Sequence, residues 1–401
     1  MPSSYLTAKQ AANTLGVSLA TLYAYTSRGQ LRSEPVPGEP RARRYYRDDV
    51  ERLKERKVAR RDPSKAATRG LRWGEPVLES GITLIHDGAY FYRGRNAIEI
   101  ARSATVEEAA ALLWSADDSE RGRLFEQATP LDRSTLDRLR SCAPEPIPLL
   151  QAALPVAAAN DLASLDLRPS AVRLTGARIL RLMAVAVAGK DAIGPIHRTL
   201  QHAWAPKRPA AADVIRAALV LCADHELNVS AFTARCAASA GASPYDVVSA
   251  ALATLKGFRH GGAGQLVLSL VRDAETPRAA RAALANRLRQ GEKMPGFGHP
   301  LYPKGDPRAA LLLDLAEQSG NTAAWRPFRN LVNAGTELLQ EEPNLDTGLA
   351  AVTRAYGLPR QAPLLLFALG RTIGWIAHAM EEYAAGHLIR PRARYVGLMP
   401  Q

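Results

Sequence analysis

Met294-Pro-Gly-Phe-Gly-His299-Pro-Leu-Tyr-Pro-Lys-Gly-Asp306-Pro-Arg308 sets a histidine and an arginine nine residues apart in a Gly/Pro-rich turn that leads into a helix. Glycine and proline at this density punctuate regular structure, so the stretch reads as a loop that presents side chains rather than as core. Upstream stands Gly257-Phe-Arg-His260-Gly-Gly-Ala263, and downstream stands Asn344-Leu-Asp346. One carboxy-terminal stretch thus presents two glycine-flanked loop histidines, an acid and a carboxylate-binding arginine. That set points to acid–base chemistry. Metal binding is the rival use, but no two of these residues lie three or four apart on a helix and no cysteine joins them, so no metal site is expected.

The 401 residues suffice for two or three domains and a large core. Alanine and leucine dominate, and apolar residues recur three and four apart far more often than they alternate, which predicts a mainly α protein. Cys142, Cys222 and Cys236 are an odd count without metal-ligand spacing, and they read as buried thiols of a reducing, cytoplasmic compartment. The first residues lack the charged start and apolar run of a signal peptide. No window reads as apolar and long enough to span a bilayer, so no membrane partner is expected. A net charge of +13 suits polyanionic partners such as nucleic acid or phosphorylated cofactors, and an arginine-rich composition alone accounts for it equally well.

Residues 1–57 read as a separate basic head. Through residue 62 the chain carries thirteen Lys and Arg against seven acids, about half of the surplus positive charge. Thr7-Ala-Lys-Gln10 has capping-box spacing, Ala11, Ala12 and Leu15 continue a short helix that stops at Gly16, and Ser18 caps the next. The pair has helix-turn-helix spacing, with Leu19–Arg28 as the element for the major groove and Thr21, Tyr23, Thr26 and Arg28 facing DNA. Gly29–Arg32, a Pro37-Gly38 turn and Arg41–Arg47 predict a two-stranded basic wing, Arg43 and Arg44 on phosphates, before Asp48 or Asp49 opens a third helix. This stretch resembles the MerR or excisionase-type winged helix-turn-helix, which implies DNA binding. A module that only decorates an enzyme, or helps it to oligomerise, is the competing use.

Residues 58–72 are polar, broken by Pro63 and Gly70, and read as a linker to a body at 73–401. The body opens with short strands around an Asp87-Gly88 hairpin turn. A helix with a threonine cap follows and buries Leu112, Leu113 and Trp114. Asp224-His225-Glu226-Leu-Asn228 is a polar knot in an apolar helical region. Such groups are costly to bury unless they bond each other or a ligand, and on residue types alone a satisfied structural network is the simpler outcome.

Gly-Phe-Gly-His299, His260-Gly-Gly, Asn344-Leu-Asp346, the Asp-His-Glu followed by Asn228-Val-Ser230, and the Tyr-Arg-Gly and Thr-Val-Glu-Glu-Ala segments near residue 100 together resemble the citrate synthase family. The resemblance covers nearly all of residues 73–401. It implies a two-domain helical body, with a small domain at about 262–350 that closes over substrate. It further implies an acyltransferase that condenses acetyl-CoA or propionyl-CoA with oxaloacetate, giving citrate or 2-methylcitrate and free CoA. By the same resemblance Asp346 is the base, His260 stabilises the enol, and His299 polarises the ketone. His225, Asn228, Arg308, Arg371 and Arg390 hold oxaloacetate, with Arg390 reaching in from the neighbour of a homodimer. No cofactor is implied beyond acyl-CoA as co-substrate.

Departures from the family pattern fall on the coenzyme side. Phe258-Arg259 replaces Pro-Leu, Gly264 replaces Asn, Pro300 replaces an arginine, and Thr347-Gly-Leu-Ala replaces Phe-Tyr-Ser-Gly. No residue is assigned to coenzyme A; Lys304, Arg259 and Lys256 are substitutes on charge alone. The alternative role is a DNA-binding regulator whose body senses citrate or acyl-CoA.

Overall fold

Reciprocal hydrogen bonds between Thr7 and Gln10 start the helix Ala8–Leu15, and Gly16 ends it in the left-handed region at φ 60°. Ser18 then caps Leu19–Ser27. The computed structural model describes residues 5–36, 39–50, 53, 78–126, 129–192, 194–257, 259–393 and 395–399. The Pro37-Gly38 turn, Phe258 and the 58–72 linker lie outside the described residues. Two units emerge, Met1–Glu79 and Ser80–Gln401.

The first unit has one strand more than its sequence suggests. Glu39–Tyr46 is central, flanked antiparallel by Ser33–Val36 and by Tyr5–Thr7. Three residues are too few to show a strand period, which hid the edge strand. Leu6, Leu15, Leu22, Leu31, Tyr45 and Val50 form the core. Two arginines brace the sheet through acidic partners. Arg44 pairs with Glu34 through Nε at 2.6 Å and lies 4.2 Å over the Tyr5 ring. Arg32 clasps Asp49 through Nε and Nη2 at 2.8 and 3.0 Å and lies over Tyr46.

In the second unit the hairpin Thr83–His86/Ala89–Tyr92 turns at Asp87 and Gly88, both with positive φ, and Arg95–Asn96 adds a short third strand. Helices make up nearly all of the rest. Val106–Leu113 starts from a capping box of Thr105 with Glu108, and Leu113 and Trp114 are fully buried. Cys222 is buried, but Cys142 is exposed, contrary to the expectation of buried thiols.

The helix Ala362–Ala385 runs through the core and packs on Ala211–Cys222 and Val229–Ser239. By length and composition it is apolar enough to cross a membrane, which corrects the expectation that no segment is. Of its apolar window 89% is buried inside the fold, as in a core helix. Close approach here depends on glycine: Gly374 N donates to the Ala223 carbonyl at 2.9 Å, and a Cβ at Gly374 would collide with that oxygen and with Asp224. Gly374→Ala is expected to destabilise the body by about 1–3 kcal/mol, as overpacking does, read as a lower denaturation midpoint with an unchanged urea slope.

Candidate active site

The polar knot divides between two clusters, one around Asp224 and one around His225. Asp224 is fully buried, accepts from Thr83 Oγ1 at 2.6 Å, and lies 3.1 Å from His378 Nε2. His378 Nδ1 accepts from Arg235 Nε at 3.0 Å, so its proton sits on Nε2 and is donated to Asp224. Burial works to raise the Asp224 carboxyl, but His378, Arg371 and Thr83 hold it below its ordinary value. The network that residue types suggested is therefore real for Asp224.

His225 belongs to a different cluster. Its ring lies 5.1 Å from that of His299 and 5.5 Å from that of Tyr302. Burial, then Arg308 and Arg371, push it well below the ordinary histidine range, so it is neutral. Asn228 caps Val229–Ser239, with Oδ1 accepting from the Ser230 and Ala231 N–H groups at 3.1 Å each. Its Nδ2 is buried with no acceptor among the described residues. Such an orphan costs about 1–3 kcal/mol until an acceptor arrives.

His260 stands on the loop between Pro244–Leu255 and Ala263–Val271. Its Nε2 is 2.8 Å from Ser230 Oγ, which lies 2.8 Å from Asn228 Oδ1 and accepts from Trp375 Nε1 at 3.1 Å. The one hydroxyl hydrogen of Ser230 therefore has two competing acceptors, and which one it takes sets the His260 tautomer. The His260 ring meets Phe367 edge to face at 5.7 Å. Burial and Arg371 lower His260 to about 4.

The loop that carries His299 and Arg308 is tied to the start of the helix Leu345–Tyr356. Asn344 Nδ2 donates to Gly298 O at 3.0 Å, Gly298 N donates to Glu342 O at 2.9 Å, and Thr347 Oγ1 donates to Gly296 O at 2.7 Å. Gly296 has φ 86°, and a Cβ there would strike Thr347 Oγ1, so only glycine serves. His299 Nδ1 accepts from Leu301 N at 3.2 Å, which leaves the proton on Nε2. Burial and Arg308 lower His299 to about 4.

Asp306 holds Arg308 through Nε and Nη2 at 2.9 and 2.7 Å and also accepts from Leu345 N at 3.1 Å. The Nε edge of Arg308 is thus occupied, and the opposite Nη end remains for a ligand. Burial opposes the Arg308 charge, but Asp306 outweighs it and the guanidinium is held above its ordinary value. Arg371, 1% exposed, spends Nε on the Cys222 carbonyl at 2.8 Å and lies 4.8 Å over Phe367. Its Nη nitrogens have no acceptor among the described residues.

His225, Asn228, His260, His299, Arg308, Asp346 and Arg371 are thus linked through shared neighbours. Arg390 is not among them: it is exposed on the irregular tail after Gly386. In the first unit Tyr23 is 52% exposed, and Arg28 and Arg43 lie at the surface. The Thr21 hydroxyl sits in the Ser18 cap at 2.9 Å, Arg44 is paired with Glu34, and Arg43 donates to Ser33 Oγ at 2.8 Å. Residue patterns gave no role to Ser230, Tyr302, Asp306 or Phe367. The Asn-x-Ser cap and the Asp-Pro-Arg helix start were the available signals for Ser230 and Asp306.

A family model for the citrate synthase carboxy-terminal domain matches residues 70–392, and a helix-turn-helix domain model matches residues 5–58. Citrate synthase of Haloferax volcanii is 32% identical over 363 residues, spanning 82% of this chain and 95% of that protein. Citrate synthase 2 of Bacillus subtilis is 28% identical over 359 residues, spanning 82% and 96%. A 2-methylcitrate synthase of Shewanella oneidensis is 34% identical over 217 residues, 53% of this chain and 57% of that one. The crystal structure of citrate synthase from Thermotoga maritima superposes with a TM-score of 0.70 at 25% identity, covering 82% of this chain and 95% of that one.

Asp346 keeps part of its surface open, yet burial raises its carboxyl to about 7. Arg308 and the Gly264 N–H lower it and Asp306 raises it, and burial prevails. The helix start favours a negative charge by only about 0.3–1 kcal/mol, too little to reverse that. The folded state therefore keeps a proton that the unfolded chain releases near the ordinary 3.8, and stability declines as pH rises from there through about 7. Asp346→Asn is expected to raise the thermal midpoint at about pH 8, with the gain vanishing near pH 4, in melting curves recorded across that range.

Proposed function

Because the chain belongs to the citrate synthase family of transferases, we propose that it condenses acetyl-CoA or propionyl-CoA with oxaloacetate, releasing citrate or 2-methylcitrate and free CoA. The observation that carries this reading is that Asp346, its carboxyl raised to about 7, stands on the helix start that Asn344 ties to the His299 loop, while His260 and His299 are held neutral. A carboxylate with that affinity for protons is a stronger base than an ordinary aspartate and still ionises near neutrality.

Asp346 takes a proton from the carbon next to the thioester. His260 donates Nδ1–H to the thioester oxygen as the enol forms, which requires the Ser230 hydrogen to point at His260 Nε2 rather than at Asn228. His299 donates Nε2–H to the ketone oxygen of oxaloacetate. A neutral imidazole is a weak acid, so that proton passes as the new C–C bond loads charge onto the oxygen. Water then cleaves the thioester and CoA leaves. The Nη ends of Arg308 and Arg371, the Asn228 Nδ2 and His225 suit a dicarboxylate, and Arg390, exposed in one chain, would complete the site of a second copy in a homodimer. Side chains supply every proton transfer, so no cofactor beyond acyl-CoA is called for. Closure of a 262–350 domain would exclude water until the bond has formed.

Release of free CoA thiol tests this reading, with acetyl-CoA and propionyl-CoA in parallel. Turnover is expected with one or both, kcat/KM falling on the acid side of about pH 7, and Asp346→Asn lowering it by roughly 10²–10⁴-fold. Unchanged turnover in that variant, or none in the wild type, contradicts it.

The helix-turn-helix match and the exposed Tyr23, Arg28 and Arg43 favour a second role for the head on DNA. Paired replacement of Arg28 and Arg43 by alanine is expected to reduce the salt dependence of DNA retention by roughly one unit per lost phosphate contact, without altering CoA release. Arg44→Ala is expected instead to lower the melting temperature of the head. Retention that is absent in the wild type, or indifferent to the double replacement, counts against DNA binding.

A further inference from the structure

Tyr302 lies between His299 and Arg308 in the chain and contacts both, although it has no part in the chemistry above. It is 3% exposed. Its N–H donates to His299 O at 2.9 Å, and its own carbonyl accepts from Gly305 N at 3.0 Å, so the turn fixes its backbone. Its ring centre is 5.0 Å from the His299 ring, and the Arg308 guanidinium carbon stands 5.3 Å from it. The hydroxyl is 2.8 Å from His225 Nε2.

Burial, opposed by Arg308, pushes the phenol above its ordinary range. A protonated phenol therefore meets a neutral imidazole across a single hydrogen bond. An imidazole in a cavity can rotate about two bonds and choose between two tautomers, and one fixed partner on Nε2 removes most of that freedom. Ordering a side chain before the ligand arrives spares the ligand that cost.

We infer that Tyr302 is a positioning residue of the oxaloacetate site: its hydroxyl orients the His225 imidazole, while its ring seats His299 and the Arg308 guanidinium in the same cluster. This rests on the oxaloacetate reading. Tyr302→Phe keeps the ring and removes only the hydroxyl, so the ring's contacts with His299 and Arg308 are preserved.

Oxaloacetate binding to the full-length protein, followed by calorimetry, is combined with CoA-release kinetics. Tyr302→Phe is expected to raise both Kd and KM for oxaloacetate roughly 5- to 20-fold while kcat stays within about 3-fold. In a His225→Ala background the same substitution is expected to change Kd by less than about 2-fold, because the partner that it orients is gone. An unchanged or tighter Kd in Tyr302→Phe overturns the inference. So does a loss of equal size in the His225→Ala background, a fall in kcat at constant KM, or a wild type that does not bind oxaloacetate. A wild type that binds oxaloacetate but releases no CoA sinks the condensation reading, and the Kd comparison still decides the role of Tyr302.

Discussion

Two hydrogen bonds at the amino terminus of the Leu345–Tyr356 helix tie the loop of His299 and Arg308 to Asp346. Asn344 Nδ2 holds Gly298 next to His299, and Leu345 N holds the Asp306 that clasps Arg308. The loop of His299 and Arg308 thus closes on one turn of helix, and Asp346 sits on that turn. Asp306 is the most connected of these anchors. It spends one oxygen on the Arg308 Nε and backbone N–H and the other on Arg308 Nη2 and Leu345 N. Loss of its charge would free a buried guanidinium and loosen the helix start together, and an unpaired buried charge is the costlier of the two effects.

Burial organises the electrostatics in the same direction. Arg308 and Arg371 bring two cations into the interior, and only Arg308 is paired with an acid. Their field, added to burial, keeps His225, His260 and His299 neutral, so each ring offers one N–H donor and one acceptor nitrogen. Asp346 lies deep enough that even Arg308 does not restore an ordinary acidity.

Residues whose local sequence imposes geometry were legible. Gly-Phe-Gly-His299 and His260-Gly-Gly announce loops, Thr7 and Gln10 announce a capped helix, and Asp87-Gly88 announces a hairpin; each forms locally. Partnerships across the chain were not legible. Nothing near Arg44 says that Glu34 neutralises it from the next strand, and nothing near Ser230 says that His260 and Trp375 converge on its hydroxyl. The Ala362–Ala385 helix reads as core only once neighbours cover every side of it. Arg390 marks a further limit of this kind, since it is exposed on the irregular tail and has no part in the cluster within one chain.

The structure of the protein crystallised with oxaloacetate and carboxymethyl-CoA would test this arrangement most directly. The expected result is a carboxymethyl group within hydrogen-bond reach of Asp346, the oxaloacetate ketone on His299 Nε2, and its carboxylates on the Nη ends of Arg308 and Arg371. Ligands bound away from Asp346, or an oxaloacetate that leaves both arginines without a carboxylate, would contradict it.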